Sequence, residues 1–170
     1  MIVSVKKLNE KAVLPFKKYE DDFCYDVVAV SEEQIAPNVW KYGIGLAFQI
    51  ERGDEVFVED TTNMFGTPTR TQCTIDMKRS PVKLSIDLRP RSSVWKTGMV
   101  LSNCEGTIDE SYRGEVSAVF YHVMPNMPRY KVGDRIGQIK LGFTLPIEFD
   151  FVEELNKTER NTGGYGSTGK

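Results

Sequence analysis

The sequence predicts an all-β fold on three observations. Apolar residues recur with period two rather than the helical period of about 3.6, turn-forming residues punctuate the intervals, and helical patterning is thin. A strand sends successive side chains to opposite faces, so alternation means one face toward a core and one toward solvent. Many short strands at such intervals build a sandwich, a jelly roll or a barrel.

Taken in order, Ile2, Val3 and Val5 mark the first strand, and Tyr25, Val27 and Val28 a second within Cys24 to Val30. Ser31-Glu32-Glu33-Gln34 could open a turn of helix or lie in a solvated loop. Val56-Phe57-Val58 and Cys73-Thr74-Ile75-Asp76 suggest a hairpin around Gly66-Thr67-Pro68. Val82, Leu84, Ile86 and Leu88, then Val116, Ala118 and Phe120, then Ile136, Ile139 and Leu141 supply three more strands. Turns are expected at Arg52-Gly53-Asp54, Asn103 to Gly106, Pro125 to Pro128 and Gly133-Asp134. From Asn156 to Lys170 there is almost nothing to bury, and the glycine-rich run is expected to be flexible.

A chain of 170 residues suits one domain. With 22 basic and 24 acidic residues the formal charge is only −2, which argues against a nucleic-acid partner, since such a face must displace counterions from phosphates. No apolar run approaches the roughly 20 residues of a membrane-spanning helix, so no membrane partner is expected. The start, MIVSVKKLNEKAV, places apolar residues before lysines, the reverse of a secretory signal, and a cytoplasmic location is expected, with nuclear or organellar sites open. Three scattered cysteines and one histidine make a disulfide framework or a zinc site unexpected.

Several stretches carry polar residues that a β domain does not need. Asp26 lies inside an apolar strand. Pro90-Arg91-Ser92-Ser93 joins a planar cation to two hydroxyls, a set suited to phosphate oxygens and also to an ordinary turn. Gly98 to Gly114 reads GMVLSNCEGTIDESYRG, and Gly133 to Gln138 reads GDRIGQ. The tail spacing Gly164 to Gly169-Lys170 imitates a P-loop, but no Ser or Thr follows the lysine and the context that motif needs is absent.

In this order the stretches resemble motifs two to five of the homotrimeric deoxyuridine triphosphate nucleotidohydrolases, the dUTPases. They run through Pro90 to Ser93, then Gly98 to Gly114, then Gly133 to Gln138, then Arg160 with Gly163 to Gly169; Asp22 to Ala29 resembles the first motif. The resemblance implies a distorted jelly-roll β-barrel over residues 1–155, and a C-terminal lid, 156–170, over a neighbouring subunit's site. It implies a homotrimer with active sites at subunit interfaces, hydrolysis of dUTP to dUMP and pyrophosphate, and Mg2+ as cofactor. Such an activity limits uracil incorporation into DNA and supplies dUMP for dTMP synthesis.

Carried over by position, the resemblance makes Asp109 the base that activates the attacking water, and sets Tyr112 under the deoxyribose. Asn103 and the backbone from Gly106 to Ile108 would read uracil, in a turn too tight for the methyl of thymine. Arg91, Ser92, Ser93 and Gln138 would face the phosphates and Arg160 the γ-phosphate. Tyr165 would cover the base, beside Gly166 and Ser167. Asp26 would meet the metal only through water, while Asp134 and Arg135 would form an ion pair or turn that fixes the strand of Gln138.

Cys24 stands where the family usually has glycine, Gly137 where it has alanine and Tyr165 where it has phenylalanine. Asp26 and Ser92 are 66 positions apart, longer than the family's ordinary spacing, which places an insertion at about 51–81, with a position nearer Trp40 as the alternative. Two other functions stay in view. A dCTP deaminase-related enzyme would use an acid such as Glu105 or Glu115, and a nucleotide-binding regulatory protein could use the same fold with the insertion as its partner surface.

Overall fold

The structure, a computed structural model, describes residues 2–52, 56–60, 71–75 and 81–163, the two short middle stretches by backbone pairing alone. It contains β1 (Ile2–Lys7), β2 (Tyr25–Val28), β3 (Ser31–Ala36), β4 (Val39–Gly43), β5 (Leu46–Glu51), β6 (Val56–Asp60) and β7 (Thr71–Ile75). It continues with β8 (Lys83–Arg89), a 3-10 turn (Ser92–Lys96), β9 (Met99–Leu101), β10 (Gly106–Asp109), β11 (Ser117–His122) and β12 (Arg135–Thr144). The architecture is all-β, as expected.

The strands assemble as two four-stranded sheets, β10-β8-β12-β2 and β3-β4-β11-β9, with two-stranded ladders β1-β5 and β6-β7. Every described pairing is antiparallel, and the ladders do not close into one continuous barrel. Apolar side chains of both larger sheets and of β5 meet in a single core. At its centre Tyr42 and Phe120 are wholly excluded from solvent, and Phe120 packs edge-on against Tyr42 and Tyr130 with ring centroids 6.0 and 5.3 Å apart. Each buried ring contributes roughly 1.5–3 kcal/mol by leaving water.

The expected strands all form, and Val56-Phe57-Val58 and Cys73-Thr74-Ile75 do pair as expected, β6 with β7 from Val56↔Ile75 to Asp60↔Thr71. The expected hairpin tip, Gly66-Thr67-Pro68, lies outside the described residues, as do Gly53, Asp54 and Asp76. One expectation is corrected: Ser31-Glu32-Glu33-Gln34 is neither helix nor loop but the first part of β3. Pro37-Asn38 closes the β3–β4 hairpin, with Asn38 at φ 59, a backbone state asparagine tolerates better than most residues. The ladder with β4 and partners distant in the chain then outweigh helical tendency: Glu33 pairs across the ladder with Lys41 at 3.7 Å, and Glu32 with Arg129, in the segment before β12, at 2.9 Å.

Two features of the fold position polar groups. Strand β8 lies between β10 and β12, so Asp109 stands opposite Ser85, and Gln138 opposite both Arg89 and, on β2, Asp26. On the same sheet the buried Asp87 accepts hydrogen bonds from Lys140 Nζ at 2.5 Å and Ser85 Oγ at 2.8 Å. Burial alone would raise the Asp87 pKa, but those partners outweigh it and the net shift is downward.

Glu32 is likewise held low, chiefly by its hydrogen bonds from Arg129 against opposing burial. A carboxylate whose pKa is depressed in the folded state stabilises the fold fully above its unfolded value and loses that contribution as pH falls through the lower folded value. The melting temperature should therefore be flat from neutral pH to about 5 and fall steeply below about 4. Glu32→Gln should lower it at pH 7 and shallow the acid fall in a differential scanning series; an unchanged acid profile would remove Glu32 as a contributor.

Candidate active site

Residues expected to read base and sugar come together in one open cleft of about 230 Å³, lined by Asn103, Gly106, Thr107, Ile108, Asp109, Tyr112, Glu115, Val116 and Ser117. A turn between β9 and β10 presents Asn103, with Cys104 in the left-handed region at φ 59. Ile108 packs its side chain against the core, which anchors β10, while Asp109 ends the strand at the surface. Among the described residues no hydrogen bond or ion pair occupies the Asp109 carboxylate.

Beyond Asp109 the chain turns tightly, Tyr112 N donating to Asp109 O at 3.0 Å. The Tyr112 ring folds back over Gly114, where any Cβ would overlap the phenol, and its hydroxyl donates to Glu115 O at 3.2 Å. Gly114 is thus what lets the phenol approach the backbone so closely. Val116 and Ser117 line the cleft without having been anticipated, because their positions follow from where the chain returns from β10 into β11 rather than from any local polar motif.

A second group forms where β8, β12 and β2 end side by side. Arg91 Nε donates to Asp26 Oδ1 at 2.8 Å, and Arg135 donates to Asp26 Oδ2 at 3.0 Å. Arg91 also reaches Ser93 Oγ at 3.4 Å, and Gln138 Nε2 donates to Pro90 O at 3.1 Å. Ser92 opens the 3-10 turn and is exposed. Arg135 therefore pairs with Asp26 rather than with Asp134, whose carboxylate instead accepts from Lys131 N at 2.7 Å and closes the turn before β12. Arg91 presents five N–H donors and Asp26 absorbs only part of them, so an anion can be held beside the pair.

At Gly137 a Cβ would lie 3.0 Å from Arg89 O, so glycine eases the approach of β12 to β8 beside Gln138. Cys24 has no positive φ and carries its side chain without backbone strain.

Among the described residues no three His, Cys, Asp or Glu side chains converge to hold a metal ion. Asp26 has each oxygen on an arginine, yet a carboxylate offers about four acceptor positions, and two remain for water. Such a donor set suits a magnesium ion liganded mainly by oxygens of a bound polyphosphate.

The cleft lining includes none of Arg91, Ser92, Ser93 or Gln138, so within one chain the two groups are separate. Arg160 donates to Gly163 O at 3.0 Å, a local contact. Tyr165, Gly166 and Ser167 lie outside the described residues. Glu115 Oε1 accepts from Gly45 N at 2.8 Å and Glu105 is paired with Arg89, so either acid that a deaminase reading could use already has a partner.

A family model described as dUTPase matches residues 56–169. The chain is 32% identical over 172 residues to the deoxyuridine 5'-triphosphate nucleotidohydrolase of Nautilia profundicola, covering 100% of each. It is 28% identical to the protein of that name from Helicobacter pylori strain Shi470, covering 99% of this chain and 97% of the other. Among solved structures it is similar to a mutant dUTPase of Staphylococcus bacteriophage 80alpha with dUpNHpp, at TM-score 0.70 and 20% identity over 99% of each chain. It is also similar to a mutant dUTPase from phage phi11 of S. aureus, described with a structural Mg(II) ion, at TM-score 0.61 and 17% identity over 92% of this chain and 100% of that one. The ordered motifs, the jelly-roll fold and a match spanning well over half the residues agree, and the chain belongs to the dUTPase family.

Proposed function

We propose that this chain is a dUTP diphosphatase, hydrolysing dUTP to dUMP and pyrophosphate. The observation that carries the reading is the cleft itself, which gathers Asn103, Gly106, Ile108, Asp109 and Tyr112 around one open volume and leaves the Asp109 carboxylate available. Asp109 holds a water and accepts its proton as the oxygen attacks the α-phosphorus. The bond from that phosphorus to the α–β bridging oxygen breaks, and pyrophosphate departs in line with the attack. Arg91, Ser92, Ser93 and Gln138 orient the phosphates and offset their charge. Magnesium, when bound to the triphosphate, would supply further charge neutralisation there, and Asp26 would help to hold it through water.

Specificity follows from shape and unsatisfied donors. Asn103 and the backbone from Gly106 to Ile108 pair with the uracil edge, and the narrow turn excludes a 5-methyl group. The Tyr112 ring, fixed on Gly114, fills the place of a ribose 2′-hydroxyl. Because the cleft and the arginine group are separate within one chain, a complete site needs surfaces from more than one subunit, which supports a homotrimer with interfacial sites. Arg160 and the segment through Tyr165, Gly166 and Ser167 then close over a neighbour's site as a lid.

Asp109→Asn should preserve binding of a non-hydrolysable dUTP analogue while lowering kcat on the order of 10²-fold or more. Turnover near that of the unaltered enzyme would remove Asp109 as the base. Pyrophosphate release should favour dUTP over UTP, dTTP and dCTP by at least about 10²-fold in kcat/KM, and equal efficiency on UTP would displace Tyr112 from beneath the sugar. A chain lacking residues 156–170 and an Asp109→Asn chain, each nearly inactive, should regain activity when refolded together. Mixed trimers that stay inactive would assign each lid to its own subunit.

A further inference from the structure

We propose that Arg52 is a positioning residue for the reaction, a clamp that reaches from the neck of the insertion to fix the turn carrying Asp109 and Tyr112; this rests on the reading of Asp109 as the base. Arg52 follows β5, and Val82 precedes β8, so the two bracket residues 53–81. Arg52 donates from one terminal nitrogen to Val82 O at 2.7 Å, drawing the two ends of that segment together. Its fork also grips Glu110 from two nitrogens, Nε to Oε1 and the terminal nitrogen to Oε2, each at 2.7 Å. Leu84 N donates to the same Oε2 at 3.3 Å, tying Glu110 to the start of β8.

Glu110 follows Asp109 directly in sequence, where β10 has ended and its ladder with β8 stops at Asp109↔Ser85. From there to Arg113 the backbone and arginine contacts are local: Tyr112 N to Asp109 O, and Arg113 to the carbonyls of Glu110 at 2.6 Å and Tyr112 at 2.9 Å. All of these lie within the turn. The grip on Glu110 refers the Asp109 end of the turn to the body of the fold, because Arg52 and Leu84 both belong to core-forming strands or their ends, while Gly45 N, donating to Glu115 Oε1, ties down the far end. The pair is largely sheltered, with side chains 17% and 26% exposed, so solvent screens it less than a surface ion pair. A two-pronged guanidinium fixes direction as well as distance, which a lysine ammonium cannot do. A carboxylate that must hold water in line with a leaving group is sensitive to displacements below 1 Å.

The test is Arg52→Lys, with Glu110→Gln as a second variant that preserves shape if the first folds poorly. Each is made alone and combined with Asp109→Asn. With Asp109 intact, kcat should fall about tenfold or more, while the Kd for a non-hydrolysable dUTP analogue changes by less than about threefold. With Asp109→Asn present, the same substitution should cause no further loss. A variant whose melting temperature falls while kcat stays within about twofold would make the clamp merely structural and overturn the proposal. An equal fractional loss with and without the Asp109 carboxylate would overturn it too, since Arg52 would then act by another route. If Asp109→Asn itself turned over normally, the base assignment would fall and this role with it. That outcome is distinguishable from a silent Arg52→Lys beside an inactive Asp109→Asn.

Discussion

Everything assigned to the site depends on β8 being paired on both edges. Its ladder with β10 sets Asp109 opposite Ser85, and its ladder with β12 sets Gln138 opposite Arg89. One strand therefore fixes the carboxylate end of the cleft, and its own exit at Pro90 delivers Arg91, Ser92 and Ser93. A slip of one residue in either ladder would turn every polar group on that strand to the opposite face, so the hydrophobic face that registers β8 also registers the chemistry. Leu84, Ile86 and Leu88 supply that face, all buried in the common core.

The opposite face of β8 carries Asp87, and charge there is tolerable only with partners at hand. Lys140 and Ser85 provide them as donors, and a Cβ at Gly142 would collide with the Asp87 carboxylate and the Ser85 hydroxyl. Removing one member of such a buried pair costs more than the pair contributes, because the survivor stays uncompensated. The cluster therefore makes the β8–β12 register costly to change from the polar side, as the core does from the apolar side. Asp26 applies the same rule at the sheet's end, where two arginines share one carboxylate and keep donor capacity for an anion.

The β10–β11 connection is held differently. It has left the ladder, so its shape comes from side chains that reach back: Tyr112 over Gly114, Glu115 to Gly45, and Glu110 to Arg52. This gives the cleft an open mouth with a firm floor. Such a combination suits a site that must admit a nucleotide and still hold one carboxylate in a fixed direction.

The sequence alone determined the strands whose apolar residues alternate, such as Val82 to Leu88 and Ile136 to Leu141, because period two is a local consequence of backbone geometry. It also determined the family, through ordered polar motifs whose residue types the chemistry demands. What it could not determine were features set by partners distant in the chain. Ser31 to Gln34 has local composition suited to a helical turn, and only the hairpin closed at Asn38, with Glu32 against Arg129, makes it strand. Arg135 meets Asp26 across the β2–β12 ladder rather than its neighbour Asp134, and Arg52 meets Glu110 across 58 positions. Hydrogen bonds and ion pairs are decided by distances of a few ångströms, and those distances exist only after the chain has packed.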